Sequence, residues 1–192
     1  MEVSVAQGFG KSKIHPKKLA LWVGCASITM MFAAFTSAYI VRQAAGNWLE
    51  FRLPDIFFFN TLVILLSSVT MHSAFLAFKN GKEKVYKSLL IVSLILGITF
   101  LVFQYQGWLA LQAIGVELTT NPSGSFVYVI SGVHAAHIIG GLAAIIVAIL
   151  QAFSLKYKVT PVRKLRFELT LTYWHFVDFL WLYLLLFFVL QS

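Results

Sequence analysis

The sequence predicts an all-α fold, an integral membrane bundle of five transmembrane helices that forms one transmembrane domain over residues 1–192. Three observations lead there. Of 192 residues, 59% are hydrophobic and 11% charged, whereas a soluble domain has about 45–50% apolar and about 25% charged residues; mean hydropathy is +0.83. Apolar runs long enough to cross a hydrocarbon core of about 30 Å, which takes about 20 residues of helix, occur five times. Lysine and arginine concentrate on alternate connections between those runs. The composition disfavours a cytosolic enzyme, a nucleic-acid-binding domain and a disordered chain.

The first run, Leu19 to Val41, is longer than the apolar core of a signal peptide, about 7–15 residues, and meets no small-residue cleavage pattern before Arg42. It is expected to stay in the mature protein. The second, Ile56 to Phe78, carries Thr61, Ser68 and His72 within about 40° of helix surface, with Asn60 near one end. The third runs from Leu89 to Trp108. The fourth, Phe126 to Leu150, places Gly132, Ala136, Gly140 and Ala144 at intervals of four, a flat edge where another backbone can approach closely. His137 borders that edge, and His134 lies about 60° away around the helix, so both can face one neighbour. The fifth, Leu169 to Leu190, gathers Glu168, Thr172, His175 and Asp178 within about 120°. That arc is expected to face protein, and the aromatic residues beyond it, Trp181, Tyr183, Phe187 and Phe188, to suit lipid or the outer interface. All five runs exceed the roughly 10 residues of a barrel strand and lack its two-residue alternation.

Charge sets the expected orientation. Lys11, Lys13, Lys17 and Lys18 precede the first run; Lys79, Lys82, Lys84 and Lys87 follow the second; Lys156, Lys158, Arg163, Lys164 and Arg166 follow the fourth. These are thirteen cations on one side against two, Arg42 and Arg52, on the other. The positive-inside rule puts the basic side and the N terminus in the cytoplasm and the C terminus outside. The same asymmetry accounts for the net charge of +8, so no nucleic-acid partner is needed. The lone cysteine, Cys25, allows no intrachain disulfide.

Ionisable side chains in hydrocarbon cost several kcal/mol unless paired or hydrated. Here they are His72, His134, His137, His175 and Asp178, with Glu168 at the edge of the fifth run. Three uses are open. With Trp174, they can form a structural polar network that locks helix packing. His72 and His175, both expected in the inner third of the membrane, can face each other as haem ligands of a small membrane cytochrome. Asp178 and the histidines can line a path for protons in a coupled transporter, although no internal repeat or mid-span proline accompanies it. Depth alone would let Asp178 reach His137 if the fourth and fifth helices are adjacent.

Ser131 to Gly141, SGVHAAHIIGG, followed by Phe167 to Trp181, FELTLTYWHFVDFLW, resembles subunit III of the haem-copper oxidases, the cytochrome c and quinol oxidases. Asn60-Thr61 before Leu65-Leu66-Ser67-Ser68, and Leu96-Gly97 through Gln104 to Trp108, resemble the preceding helices. The likeness covers roughly Leu19 to Leu190, and five helices match the short bacterial form. Two departures stand out: Ser27-Ile28 where many members have Ser-Glu, and Gly107-Trp108 where many have Glu before an aromatic residue. The resemblance implies an accessory subunit of a proton-pumping terminal oxidase in the bacterial plasma (inner) membrane. It implies no catalytic centre, redox cofactor or metal in this chain, with haem and copper in partner subunits. The implied partners are the catalytic subunit I, other oxidase subunits and bound phospholipid, whose headgroups Lys79, Lys82, Arg163 and Arg166 can meet.

The orientation is testable with Cys25→Ser as background and single cysteines in place of Asn121 and Ser154. A membrane-impermeant thiol reagent applied to intact cells should label the first site and spare the second; outside labelling at the second would invert the topology.

Overall fold

The computed structural model describes residues 15–191. Within them the chain forms five helices: α1 (Pro16–Ala44), α2 (Ile56–Lys79), α3 (Glu83–Ala113), α4 (Pro122–Ser154) and α5 (Pro161–Gln191). Each is long and apolar enough to cross a membrane. Most outrun the apolar segments that predict them, because the flanking polar residues also cap them. His15 accepts the Lys17 backbone N–H at 3.2 Å, with Pro16 at the first helical position. Asn121 does the same for Ser123 at 3.0 Å ahead of Pro122. Proline there gives up only an N–H that would be orphaned anyway. Of the cations expected before α1, Lys11 and Lys13 lie outside the described residues.

Successive helices run in opposite directions. Gly81 takes φ +74° after α2, and the Lys82 N–H reaches back to the Ala77 carbonyl at 3.0 Å, a Schellman closure that only a left-handed residue permits cheaply. Gly115, at φ +82°, ends α3 in the same way, with Val116 N–H on the Leu111 carbonyl at 3.0 Å. The first turn is so short that α2 and α3 form the most extensive helix pair in the bundle. Contacts at the ends fix which connections share a side. Lys18 of α1 meets Glu168 of α5 at 2.6 Å, and Tyr157 donates to the Phe78 carbonyl at 2.6 Å. At the opposite end Asn121 accepts the Leu49 N–H at 3.3 Å.

α5 completes the core by lying against α2 and α4, while α1 packs on the flank against α4 and α5. Only Phe32, Thr36 and Tyr39 of α1 are buried. The interior centres on two tryptophans of α5, Trp174 and Trp181, both without solvent exposure. Trp174 occupies a slot cut by two glycines. A Cβ on Gly97 of α3 would stand 2.9 Å from its indole and 2.6 Å from Leu142, and one on Gly141 of α4 would stand 2.8 Å from the same ring. Trp181 stacks on Phe57 with centroids 6.2 Å apart and meets the edge of Phe100 at 5.1 Å. It is thus a core residue, contrary to the expectation that it faces lipid, and so is Phe188. The reason is periodicity: Trp174, Asp178, Trp181 and Phe188 recur at intervals of three, four and seven, one face of a helix, and that face is buried.

The small-residue edge of α4 lies elsewhere. Ala136 and Gly140 are exposed, and Gly132 and Ala144 half-buried; the close approach that a small-residue edge predicts is made instead by Gly141, one position on.

Overpacking a filled core costs about 1–3 kcal/mol. Gly97→Ala and Gly141→Ala should therefore lower the thermal unfolding midpoint of the detergent-solubilised chain, and Gly132→Ala, whose Cβ would find its nearest neighbour at 4.0 Å, should leave it nearly unchanged. Equal midpoints for all three would refute the slot.

Candidate functional site

Polar side chains in the bundle satisfy one another through a recurring device. An indole N–H donates to a hydroxyl, and the hydroxyl donates to a helix carbonyl. Trp181 Nε1 donates to Thr61 Oγ1 at 2.9 Å, and Thr61 to the Phe57 carbonyl at 2.8 Å. Trp108 Nε1 donates to Ser131 Oγ at 2.9 Å, and Ser131 to the Val127 carbonyl at 2.6 Å. Trp174 Nε1 donates to Ser67 Oγ at 3.2 Å, and Ser67 to the Ser93 carbonyl of α3 at 3.2 Å. Thr70 and Ser93 hydroxyls meet at 2.8 Å beside it. Asn60 Nδ2 donates to Gln104 Oε1 at 3.1 Å, joining α2 to α3 nearer the other end. Such bonds between membrane helices contribute about 0.6 to 2 kcal/mol each.

The ionisable groups form two clusters rather than one. The first lies along the α2–α5 seam. Ser68 Oγ and His175 Nδ1 are 2.6 Å apart, and the His72 and His175 rings face each other with centroids 5.7 Å apart, tilted by 38°. Asp178 is buried beneath, 3% exposed, with neither oxygen in a hydrogen bond; Ser68 is the polar side chain close enough to influence it. The Thr61–Ser68–His72 stripe of α2 therefore faces α5. The stripe on α5 that carries Glu168, Thr172, His175 and Asp178 does not face protein throughout: Asp178 is buried, His175 half-buried and Thr172 exposed.

The second cluster belongs to α4. His134 is wholly buried among Phe32, Phe100 and Trp181, with ring centroids 6.3, 5.9 and 5.2 Å away, and neither ring nitrogen has a hydrogen-bond partner. His137 Nδ1 is 2.7 Å from the Val133 carbonyl, its ring 5.8 Å from Phe32. Both histidines thus meet one residue of α1. Helices α4 and α5 are neighbours, yet Asp178 and His137 do not pair: rotation about the two helices turns Asp178 toward α2 and His137 toward α1. Trp174 stands apart from both clusters, on Ser67.

Glu168 sits at the basic end in an ion pair with Lys18 at 2.6 Å, and Lys164 approaches it at 3.9 Å. These partners are partly exposed, so the pair contributes little on its own. Nearby, a cavity of about 330 Å³ opens between α4, α5 and the end of the α2–α3 hairpin. Buried Phe78 and Phe167, exposed Val147, and Tyr157, Arg163 and Arg166 are among the residues that line it. Burial and the charge of Glu83 push the Tyr157 phenol up from its ordinary value, the effect of burial being the larger. Arg163 is held by the Lys156 carbonyl at 2.7 Å. Lys79 lies 5.7 Å from the centre of the Phe75 ring, and Lys82 stands at the head of α3. Among the described residues, no three of His, Cys, Asp or Glu come together as a group that could hold a metal ion.

The two positions where acidic residues are missing are filled locally. The Phe57 ring closes over Gly107, within 3.0 Å of where a Cβ would stand. Ile28 is half-buried and packs against the hydrophobic core, beside Ser27, which donates to the Val23 carbonyl at 3.0 Å.

Comparison with known proteins accords with this architecture. The family described as cytochrome c oxidase subunit III matches residues 22–192. The chain is 28% identical to the "Probable cytochrome c oxidase subunit 3" of Nocardia farcinica, covering 84% of this chain and 80% of that one. It is 29% identical to the "Cytochrome c oxidase subunit 3" of Corynebacterium diphtheriae, covering 80% and 77%. It is 34% identical to the "Probable cytochrome c oxidase subunit 3" of Rickettsia conorii over 78% of this chain but only 53% of that longer protein. A match that takes in all five helices, and with them both polar clusters, means that the chain belongs to the cytochrome c oxidase subunit III family.

Proposed function

We propose that the chain is the accessory subunit III of a proton-pumping haem-copper terminal oxidase of aerobic respiration, set in a bacterial plasma membrane with its basic end in the cytoplasm. It stabilises the catalytic subunit I, holds phospholipid and sustains proton uptake, while oxygen is reduced on haem and copper carried by its partners. The observation that carries this is the family match across residues 22–192. The distribution of polar groups supports it. The interior of α2 to α5 is packed around tryptophan and hydroxyl pairs, and among the described residues Asp178 and His134 occupy separate clusters rather than one line of ionisable groups. The histidines and Trp174 then serve helix packing, and the exposed edge of Ala136 and Gly140 is free to meet a partner helix.

Extraction of the tagged chain from its native membrane in mild detergent should bring larger subunits with it in fixed ratio, together with their haem and copper. Haem bound to this chain alone would point to a cytochrome on His72 and His175 instead; a chain emerging alone without haem would favour transport through Asp178.

The basic cavity is proposed to hold an anionic phospholipid, its acyl chains against Val147 and Phe167 and its phosphate between Arg163 and Arg166, with Lys79 and Lys82 adding charge at the same end. Near an anionic surface each cation contributes about 1 kcal/mol. Arg163→Gln combined with Arg166→Gln should reduce the anionic phospholipid retained on the purified complex severalfold, by quantitative lipid analysis. Unchanged retention would refute the assignment.

A further inference from the structure

The α2–α5 seam is polar at a depth where a bilayer offers nothing polar. His72 is exposed, Ser68 and His175 are half-buried, and Asp178 lies beneath them. The Ser68 hydroxyl holds one nitrogen of His175. Among the described residues the other nitrogen of His175 and both nitrogens of His72 have no hydrogen-bond partner, and neither does either oxygen of Asp178. A neutral imidazole carries one donor and one acceptor, so the seam displays both kinds of group.

Depth decides what can satisfy them. The apolar run of α5 begins at Leu169, so at a rise of about 1.5 Å per residue His175 stands about 9 Å inside the hydrocarbon. Lipid headgroups do not reach that level, and acyl chains supply no donor or acceptor. Exposed apolar side chains, Leu65 and Leu76 on α2 and Phe179 on α5, frame the polar groups as a packing rim. The outer face of α3 differs. At the depth of His175 its exposed residues are apolar, among them Ile91, Ile95, Ile98 and Val102, and the half-buried Thr99 is satisfied by the Ile95 carbonyl at 2.9 Å. At that depth this face needs nothing but lipid.

We infer that the seam formed by Ser68, His72 and His175 over Asp178 docks a transmembrane helix of a partner chain, which presents a carboxyl, amide or hydroxyl side chain to the free imidazole nitrogens. The inference rests on the proposal that this chain works as a subunit of a larger membrane assembly, and it assigns the face and the chemistry of that contact.

A photoreactive benzoylphenylalanine in place of Phe179, one turn from His175, tests it in the full chain within its native membrane. Irradiation should give a covalent adduct with another membrane-spanning chain, and the same probe in place of Ile98, exposed on α3 at a similar depth, should give none. His72→Leu should reduce the Phe179-site adduct at least fivefold, and His72→Gln, which keeps a donor and an acceptor, should restore most of it. Adducts with lipid only, with a second copy of this chain, or insensitive to His72→Leu would overturn the assignment. If the unaltered chain still co-purifies with haem-bearing and copper-bearing chains while the Phe179 site marks lipid, the docking surface falls and the accessory-subunit proposal stands.

Discussion

Hydrocarbon cannot hydrogen-bond, and the arrangement of this bundle follows from that. Any polar atom placed inside must find its partner within the protein, and an unpaired one costs several kcal/mol. At three of its indoles the chain meets the condition with bulky donors, while the side chains of His134 and Asp178 have no hydrogen-bond partner among the described residues. Trp108, Trp174 and Trp181 each bury a large ring and aim one N–H at a hydroxyl. Each hydroxyl passes its own proton to a backbone carbonyl. Shape and hydrogen bonding are thereby tied to the same side chain: a helix that rotates out of register loses its packing and its donor together. This is why α2, α3, α4 and α5 close into one core although no single contact between them is strong.

α1 obeys a looser version of the rule. It lies on the flank, and its buried residues are aromatic or singly hydroxylated. Phe32 supplies the ring against which both His134 and His137 rest, and Thr36 shares a hydrogen bond of 2.8 Å with the Tyr183 hydroxyl of α5. Tyr39 gathers Trp48, Phe126 and Phe187 near one end. Much of the rest of α1, including Met30 and Val41, faces outward. At the two positions where the chain departs from the acidic pattern, Ile28 packs on the core and Gly107 is covered by the Phe57 ring, so neither leaves a gap in the packing.

The five helices were legible because length and apolarity decide transmembrane structure with little help from tertiary contacts. Even the grouping of Thr61, Ser68 and His72 on one face followed from helical geometry. The partners of those faces were not legible. Depth suggested that Asp178 could meet His137, but the rotation of each helix about its axis is set by the indole and glycine slots, which a one-helix periodicity does not reveal. Trp181 was misplaced for a related reason: aromatic residues near a helix end suit an interface, and only its seven-residue spacing from Trp174 distinguished it. The small-residue edge on α4 misdirected attention by one position, since Gly140 and Gly141 are equivalent in composition and differ only in which neighbour they face.

The slot for Trp174 has a consequence for how the protein is made. Its walls come from α3 and α4, and its hydrogen-bond acceptor from α2, all of which leave the ribosome before the side chain that fills it. Until α5 enters the bilayer, the earlier helices carry an open notch with a Ser67 hydroxyl that has no donor to accept from and two bare glycine backbones. Biogenesis of this fold therefore has a late commitment step: the preceding helices can insert one by one, but they cannot lock until α5 arrives. A membrane chaperone or a quality-control protease would find its recognition feature in that unfilled notch.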